Sequence, residues 1–118
     1  MRENIATTNR NFDLNYNSKR PMVVRALRRS YIRRDIAKYL CSINPECCRT
    51  TEIATQVKSS STNVLGALRG LGSRYKTDES LLSLNIVEET IEKIHGKDIK
   101  LYKITNFGKD VLTDFQRK

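Results

Sequence analysis

"TTEIATQVKSSSTNVLGALRGL", residues 50–71, sets two short apolar-periodic segments on either side of a lysine and three serines, with no glycine or proline between them. Ile53, Ala54 and Val57 give the first segment an apolar face over two turns. Val64, Leu68 and Leu71 line one face of the second at spacings of four and three. A hydroxyl before a helix accepts an orphan backbone N–H, so Thr50 or Thr51 is expected to cap the first helix and Ser60 or Ser61 the second. Either the pair is an ordinary helical hairpin of a small core, or it presents its second helix to a groove. The face opposite Val64 and Leu68 carries Thr62, Asn63, Gly66, Arg69 and Ser73, which are polar, mostly small and free of acid. A groove-facing helix needs short side chains for close approach and polar tips for phosphates and base edges. Its N-terminus also offers free N–H groups to a phosphate.

Working outward toward the N-terminus, "MVVRALRRSYIRRDIAKYLCSI", residues 22–43, follows Pro21, a helix-start signal. Val24, Leu27, Tyr31, Ile32, Ile36, Leu40 and Ile43 trace an apolar face, so one amphipathic helix is expected. Arg25, Arg29 and Arg33 recur every four residues as a basic stripe, flanked by Arg28 and Arg34, with Asp35 as its acidic neighbour. Such a stripe is either a solvated face or a polyanion contact. Pro45 disfavours helical geometry at Asn44 and ends the helix.

Toward the C-terminus, Thr77 or Asp78 is expected to cap a short extra turn through Leu84. "IVEETIEKI" (86–94) and "IKLYKIT" (99–105) are β-rich runs joined by "HGKD". They predict a hairpin with His95, Gly96, Lys97 and Asp98 at its tip and Lys93, Lys97 and Lys100 clustered nearby. Phe107, Val111 and Phe115 then repeat every four residues, which predicts a last amphipathic helix.

The totals bound the function. A chain of 118 residues suits one domain, and 38% hydrophobic with 30% charged residues is a globular composition. The net charge of +9 attracts DNA, RNA or an anionic membrane surface. No apolar run approaches the roughly 20 residues of a membrane span. Residues 1–20 are polar and lack the apolar core of a secretory signal, so they read as a mobile arm before a single domain at 21–118. A cytoplasmic location is expected. Cys41, Cys47 and Cys48 are odd in number, and the lone His95 lies far along the chain, so structural or free thiols are expected rather than a metal site. No cofactor is implied. One histidine and no Gly-rich phosphate loop argue against an enzyme.

Two motifs carry a resemblance. "TEIATQVKSSSTNVLGALRGL" resembles the two-helix unit of the winged helix-turn-helix family, with Ala54, Val57, Val64, Leu68 and Leu71 at its core positions. "LNIVEE…GKDIKLYKITNFGKDVL" resembles that family's wing: a Leu-Val-Glu-type strand, a hairpin, an aromatic-x-Ile-Thr strand and a helix containing Gly-Lys. The nearest likeness is to small archaeal and bacterial regulators of the MarR, ArsR and TrmB kind. The implied fold is mainly α with a small β-hairpin wing: a three-helix core, the wing and a C-terminal helix. Three departures stand out. Lys58 occupies the turn position where the family has Gly, Leu65 and Gly66 replace polar or basic side chains, and "SRYKTDES" (73–80) is inserted before the wing.

The resemblance implies a homodimeric transcription regulator that binds double-stranded DNA. The helix at about Ser61–Leu71 would lie in the major groove, and the wing near Lys97 on the backbone or minor groove. Lys58, Ser60, Ser61, Thr62, Asn63, Arg69, Arg74, Lys76, Lys93, His95, Lys97 and Lys100 would then face DNA. Arg69 and Asn63 are the implied base readers. The first and last helices would form the symmetric dimer. The competing reading is a winged-helix module that docks on protein or RNA, because fold alone does not fix function.

Overall fold

The computed structural model describes residues 20–70 and 79–117. The order of elements is α1 (20–29), α2 (Tyr31–Ile43), α3 (Thr50–Val57), α4 (Ser61–Arg69), β1 (Val87–Ile94), β2 (Lys97–Ile104) and α5 (Asn106–Arg117). The class is α+β: helices around one core, with an antiparallel hairpin. The expected arm at 1–20 lies, but for Arg20, outside the described residues. So do Leu71, Ser73, Arg74, Lys76 and the expected caps Thr77 and Asp78.

The first helical stretch departs from expectation. It is two helices, broken at Ser30, whose backbone is extended (φ −143°, ψ 109°) and whose Oγ accepts the Arg33 backbone N–H at 3.3 Å. The break leaves the last carbonyls of α1 without helical partners. Arg34 donates to the carbonyls of Leu27 and Arg28 at 2.9 and 3.1 Å, and Arg33 to that of Ala26 at 3.3 Å. Arginine at a helix C-terminus both fills those acceptors and opposes the dipole. The basic stripe is therefore partly structural. Arg33 is only 4% exposed, and Glu79 holds Arg29 and Arg33 at 3.0 and 3.4 Å. Glu79 comes from the inserted stretch, so the insertion's end ties back to the α1–α2 junction.

Asn44 leaves the helix at φ −51°, ψ 134°, as Pro45 requires. Cys48 then exchanges two backbone hydrogen bonds of 2.9 Å with Tyr102, adding one residue to the free edge of β2. At the start of α3 the cap is neither Thr50 nor Thr51. Arg49 occupies that position, and the Glu52 carboxylate accepts the Arg49 backbone N–H at 3.0 Å. Lys58 ends α3 in the left-handed region, φ 57° and ψ 51°, at a cost of about 1 kcal/mol for a side chain with a Cβ. Ser60 caps α4 by accepting the Asn63 N–H at 3.1 Å.

Val64, Ala67 and Leu68 are fully buried, and Gly66 is buried with them, although its position suggested the outer face. The reason lies in the turn at 80–86. The amides of Leu81 and Leu82 donate to the carbonyls of Ala67 and Leu68 at 2.9 and 3.0 Å, closing the C-terminal half of α4 under Leu81, Leu84 and Ile86. The first turn of α4 stays open, and Leu65 and Arg69 on its outer side stay partly exposed.

In the hairpin, Val87 faces Ile104 and Ile94 faces Lys97. Its tip is two residues, His95 at φ 52° and Gly96 at φ 78°, the pair of positive values that a tight primed turn demands. The expected four-residue tip is thus shorter: Lys97 and Asp98 are paired strand residues. Thr105 caps α5, its Oγ1 accepting the Gly108 N–H at 2.8 Å. Phe107, Val111 and Leu112 bury against the core, and an Arg20–Asp114 ion pair joins α5 to α1. Among the described residues no helix is long and apolar enough to cross a membrane.

Candidate nucleic-acid interface

The turn at Lys58 and the cap at Ser60 set how α4 leaves α3. Val64 and Leu68 anchor its inner side, so Ser60, Ser61 and Thr62 are exposed on the first turn and Lys58 is exposed at the corner. Asn63 is half-buried, and its Nδ2 donates to Ser59 Oγ at 3.3 Å, so one of its two implied reading groups is already engaged. Residues 61, 65 and 69 share a helical stripe. That stripe runs from an exposed serine through the half-buried Leu65 to Arg69.

Arg69 does not point freely outward. Its Nη1 contacts Glu89 Oε2 at 2.6 Å, and the Tyr102 hydroxyl donates to the same oxygen at 2.9 Å. One carboxylate thus joins α4, β1 and β2. Burial raises the Tyr102 hydroxyl above its ordinary range, which keeps it a donor. Beside the Tyr102 hydroxyl and the Glu89 carboxylate, the Arg69 guanidinium holds its proton more tightly still. Glu89 faces Tyr102 across the hairpin, as direct partners in an antiparallel pair must. The distal hairpin carries Lys97 and Lys100, both exposed, while Lys93 lies 3.6 Å from Asp98. His95 is exposed in the turn.

Between the start of α3, the outer side of α4 and strand β2 lies an open cleft of about 620 Å³. Leu65 and Tyr102 supply apolar walls, Arg49, Arg69 and Lys100 cationic ones, and Asp98 an acidic one; β2 borders the cleft on the face shared by Asp98, Lys100 and Tyr102. Arg49, Thr50 and Thr51 belong to this surface, yet sequence reasoning gave none of them a binding role. The available signal was a cation at the cap of α3, but only the tertiary fold brings it beside β2. Leu65 stood out as an apolar departure, and the cleft is where it lies.

Of the cysteines, Cys48 precedes Arg49 and pairs through the backbone with Tyr102, and Arg49 and Tyr102 both line the cleft. Cys41 is half-buried, Cys47 exposed and Cys48 buried with its Sγ 3.6 Å from the Tyr39 hydroxyl. Burial pushes the Cys48 thiol up, which disfavours the reactive thiolate. Among the described residues no group of three or more His, Cys, Asp or Glu side chains is arranged to hold a metal.

No solved structure matches the chain. An uncharacterized protein of Methanocaldococcus jannaschii, MJ0905, is 36% identical over 92 residues, covering 78% of this chain and 79% of that protein. A family model described as EarA-like matches residues 23–114, which reaches into every helix and takes in both strands. By that match across most of its length, the chain belongs to the EarA-like family.

Proposed function

We propose that the protein is a homodimeric transcription regulator that binds duplex DNA, with α3, its turn and α4 acting as a helix-turn-helix and the β1–β2 hairpin as its wing. The observation that carries this reading is the open first turn of α4. Ser60, Ser61 and Thr62 are exposed, short and uncharged. The corner cation Lys58 and the hairpin cations Lys97 and Lys100 are exposed too, and carry no ion pair among the described residues. Helix N-terminal amides and small hydroxyls approach phosphates closely, and the surrounding charge supplies long-range attraction. The recognition segment is the exposed first turn of α4, because Val64, Gly66, Ala67 and Leu68 are buried. Arg69 supports the interface through Glu89 rather than reading bases. Chemistry on a substrate forms no part of this reading.

The second reading, a winged-helix module for protein or RNA, is favoured by one observation. Arg69 is tied down and Asn63 half-engaged, so α4 offers no long polar side chain for base readout. A titration separates the two. Fluorescence anisotropy with a labelled random duplex, a matched RNA and rising salt should give duplex binding that falls by orders of magnitude from 50 to 200 mM salt if the dimer neutralises ~6–10 phosphates. Lys97→Ala with Lys58→Ala should weaken it further and leave the melting temperature nearly unchanged. Absence of duplex binding at low salt would end the first reading.

A further inference from the structure

We propose that the cleft between α3, α4 and β2 is a sugar–phosphate site that takes one nucleotide unit of a nucleic-acid strand. Charge selects the ligand's sign. Of the cations around the cleft, Arg69 is neutralised by Glu89, and Asp98, the acid in the lining, is itself paired with Lys93. Arg49 and Lys100 have no ion pair among the described residues, and they come from two different elements. An anion that meets both bridges the start of α3 and the middle of β2.

Apolar area selects the rest of the ligand. Leu65 is a half-buried wall that a bare inorganic anion would leave unused. The carbon face of a pentose fits such a wall, and its phosphate ester reaches the cations. Tyr102 closes the floor, but its hydroxyl is spent on Glu89 and adds no donor for the ligand. Size and openness agree. About 620 Å³ is far more than one phosphate needs, and the cleft is open rather than enclosed. An enclosed cavity would suit a free nucleotide. An open one lets a continuous strand enter and leave on both sides. This assignment explains Leu65, the apolar residue that a groove-reading helix would not need. The strand occupant rests on the nucleic-acid reading above. The cleft itself does not, and the measurements keep the two apart.

The test combines anisotropy on a random duplex with NMR of the two Leu65 methyl groups. For Arg49→Ala with Lys100→Ala, the slope of log K against log salt should become shallower by about 0.9 for each phosphate that is no longer neutralised. Leu65→Ser should lower affinity several-fold at unchanged slope, because no charge is removed. Both variants should melt like the parent, since all three side chains are at least partly exposed. Adding duplex should shift both Leu65 methyl signals. If the parent binds duplex but both variants keep its affinity and slope, the cleft assignment falls while the DNA reading stands. A double variant that loses affinity at constant slope also overturns the phosphate contact. If the parent ignores duplex, the strand occupant fails with the function, even where a deoxynucleoside monophosphate alone moves the two methyl signals.

Discussion

At Gly108 the absence of a side chain decides whether α5 can dock. A Cβ there would run into the Ile86 carbonyl oxygen, a backbone atom that cannot rotate aside. Gly108→Ala must therefore push α5 off the turn at 80–86. We expect a loss of about 1–3 kcal/mol or more, comparable to overpacking a core. For a domain near 100 residues each kcal/mol moves the melting temperature by roughly 4–8 °C. A calorimetric scan with an unshifted midpoint would contradict the packing described. Lys58 is the opposite case. Its left-handed backbone is one that glycine adopts freely, so Lys58→Gly should stabilise the fold against urea by something near 1 kcal/mol. That strain was legible only through the family resemblance, which puts Lys58 where the family has Gly. The role of Arg33 was not. A residue on a basic stripe looks solvated until the helix breaks three residues earlier and turns it onto a carbonyl.

The elements differ in how far the chain announced them. The α3–α4 pair, the hairpin and α5 were all readable, since each is set by local periodicity and by caps such as Ser60. The break between α1 and α2 was hidden. Apolar residues continue in step from Leu27 to Tyr31, and Ser30 marks a boundary only because distant parts of the fold support it. The Arg69–Glu89–Tyr102 contact was likewise invisible, because its partners are 20 and 13 residues apart and meet only after the hairpin folds back on α4. This contact carries a pH prediction. Burial raises the folded-state pKa of Tyr102 above its ordinary 10.0, and that of the Cys48 thiol above 9.0. A raised pKa means the folded state holds its proton more tightly. The associated stability is complete below the ordinary values and drains away as pH climbs through the folded ones. Urea unfolding should therefore show a fall beginning near pH 9 and steepening above pH 10. Tyr102→Phe should cost about 1 kcal/mol at neutral pH and flatten the steeper part. An identical alkaline decline in that variant would mean that other groups cause it.

Across the whole molecule the basic excess is distributed unevenly. Near the α1–α2 junction and along the core, arginines find acids or carbonyls: Arg29 and Arg33 meet Glu79, and Arg34 caps α1. On the side of α4 and the distal hairpin, Lys58, Arg49, Lys97 and Lys100 carry no ion pair among the described residues. Arg25, Arg28 and Lys38 on α1 and α2 are exposed without an ion pair among the described residues as well, so the net charge of +9 attracts a polyanion without the pairing pattern alone choosing the side. The proposed dimer belongs to this scale too. Met22 is 43% exposed on α1 and Tyr31 65% exposed at the start of α2, apolar surface that a second copy could cover. Sedimentation of the wild-type chain should give a dimer, and Met22→Glu with Tyr31→Glu should give monomers of weakened duplex affinity. A wild-type chain that sediments as a monomer at tens of micromolar would remove the dimer from the proposal.

The oxygen shared by Arg69 and the Tyr102 hydroxyl gives the protein the character of a fixed gauge. If α4 and the hairpin grip a duplex as proposed, their spacing cannot be adjusted without breaking that junction. The adjustment must then come from the double helix, whose stiffness depends on sequence. Duplexes with a pliant TA step between the two grips should outcompete rigid A-tracts of equal length and charge. The preference should vanish in Glu89→Ala, where the jaws come loose. In this way a chain with few side chains suited to reading bases would still select among sequences.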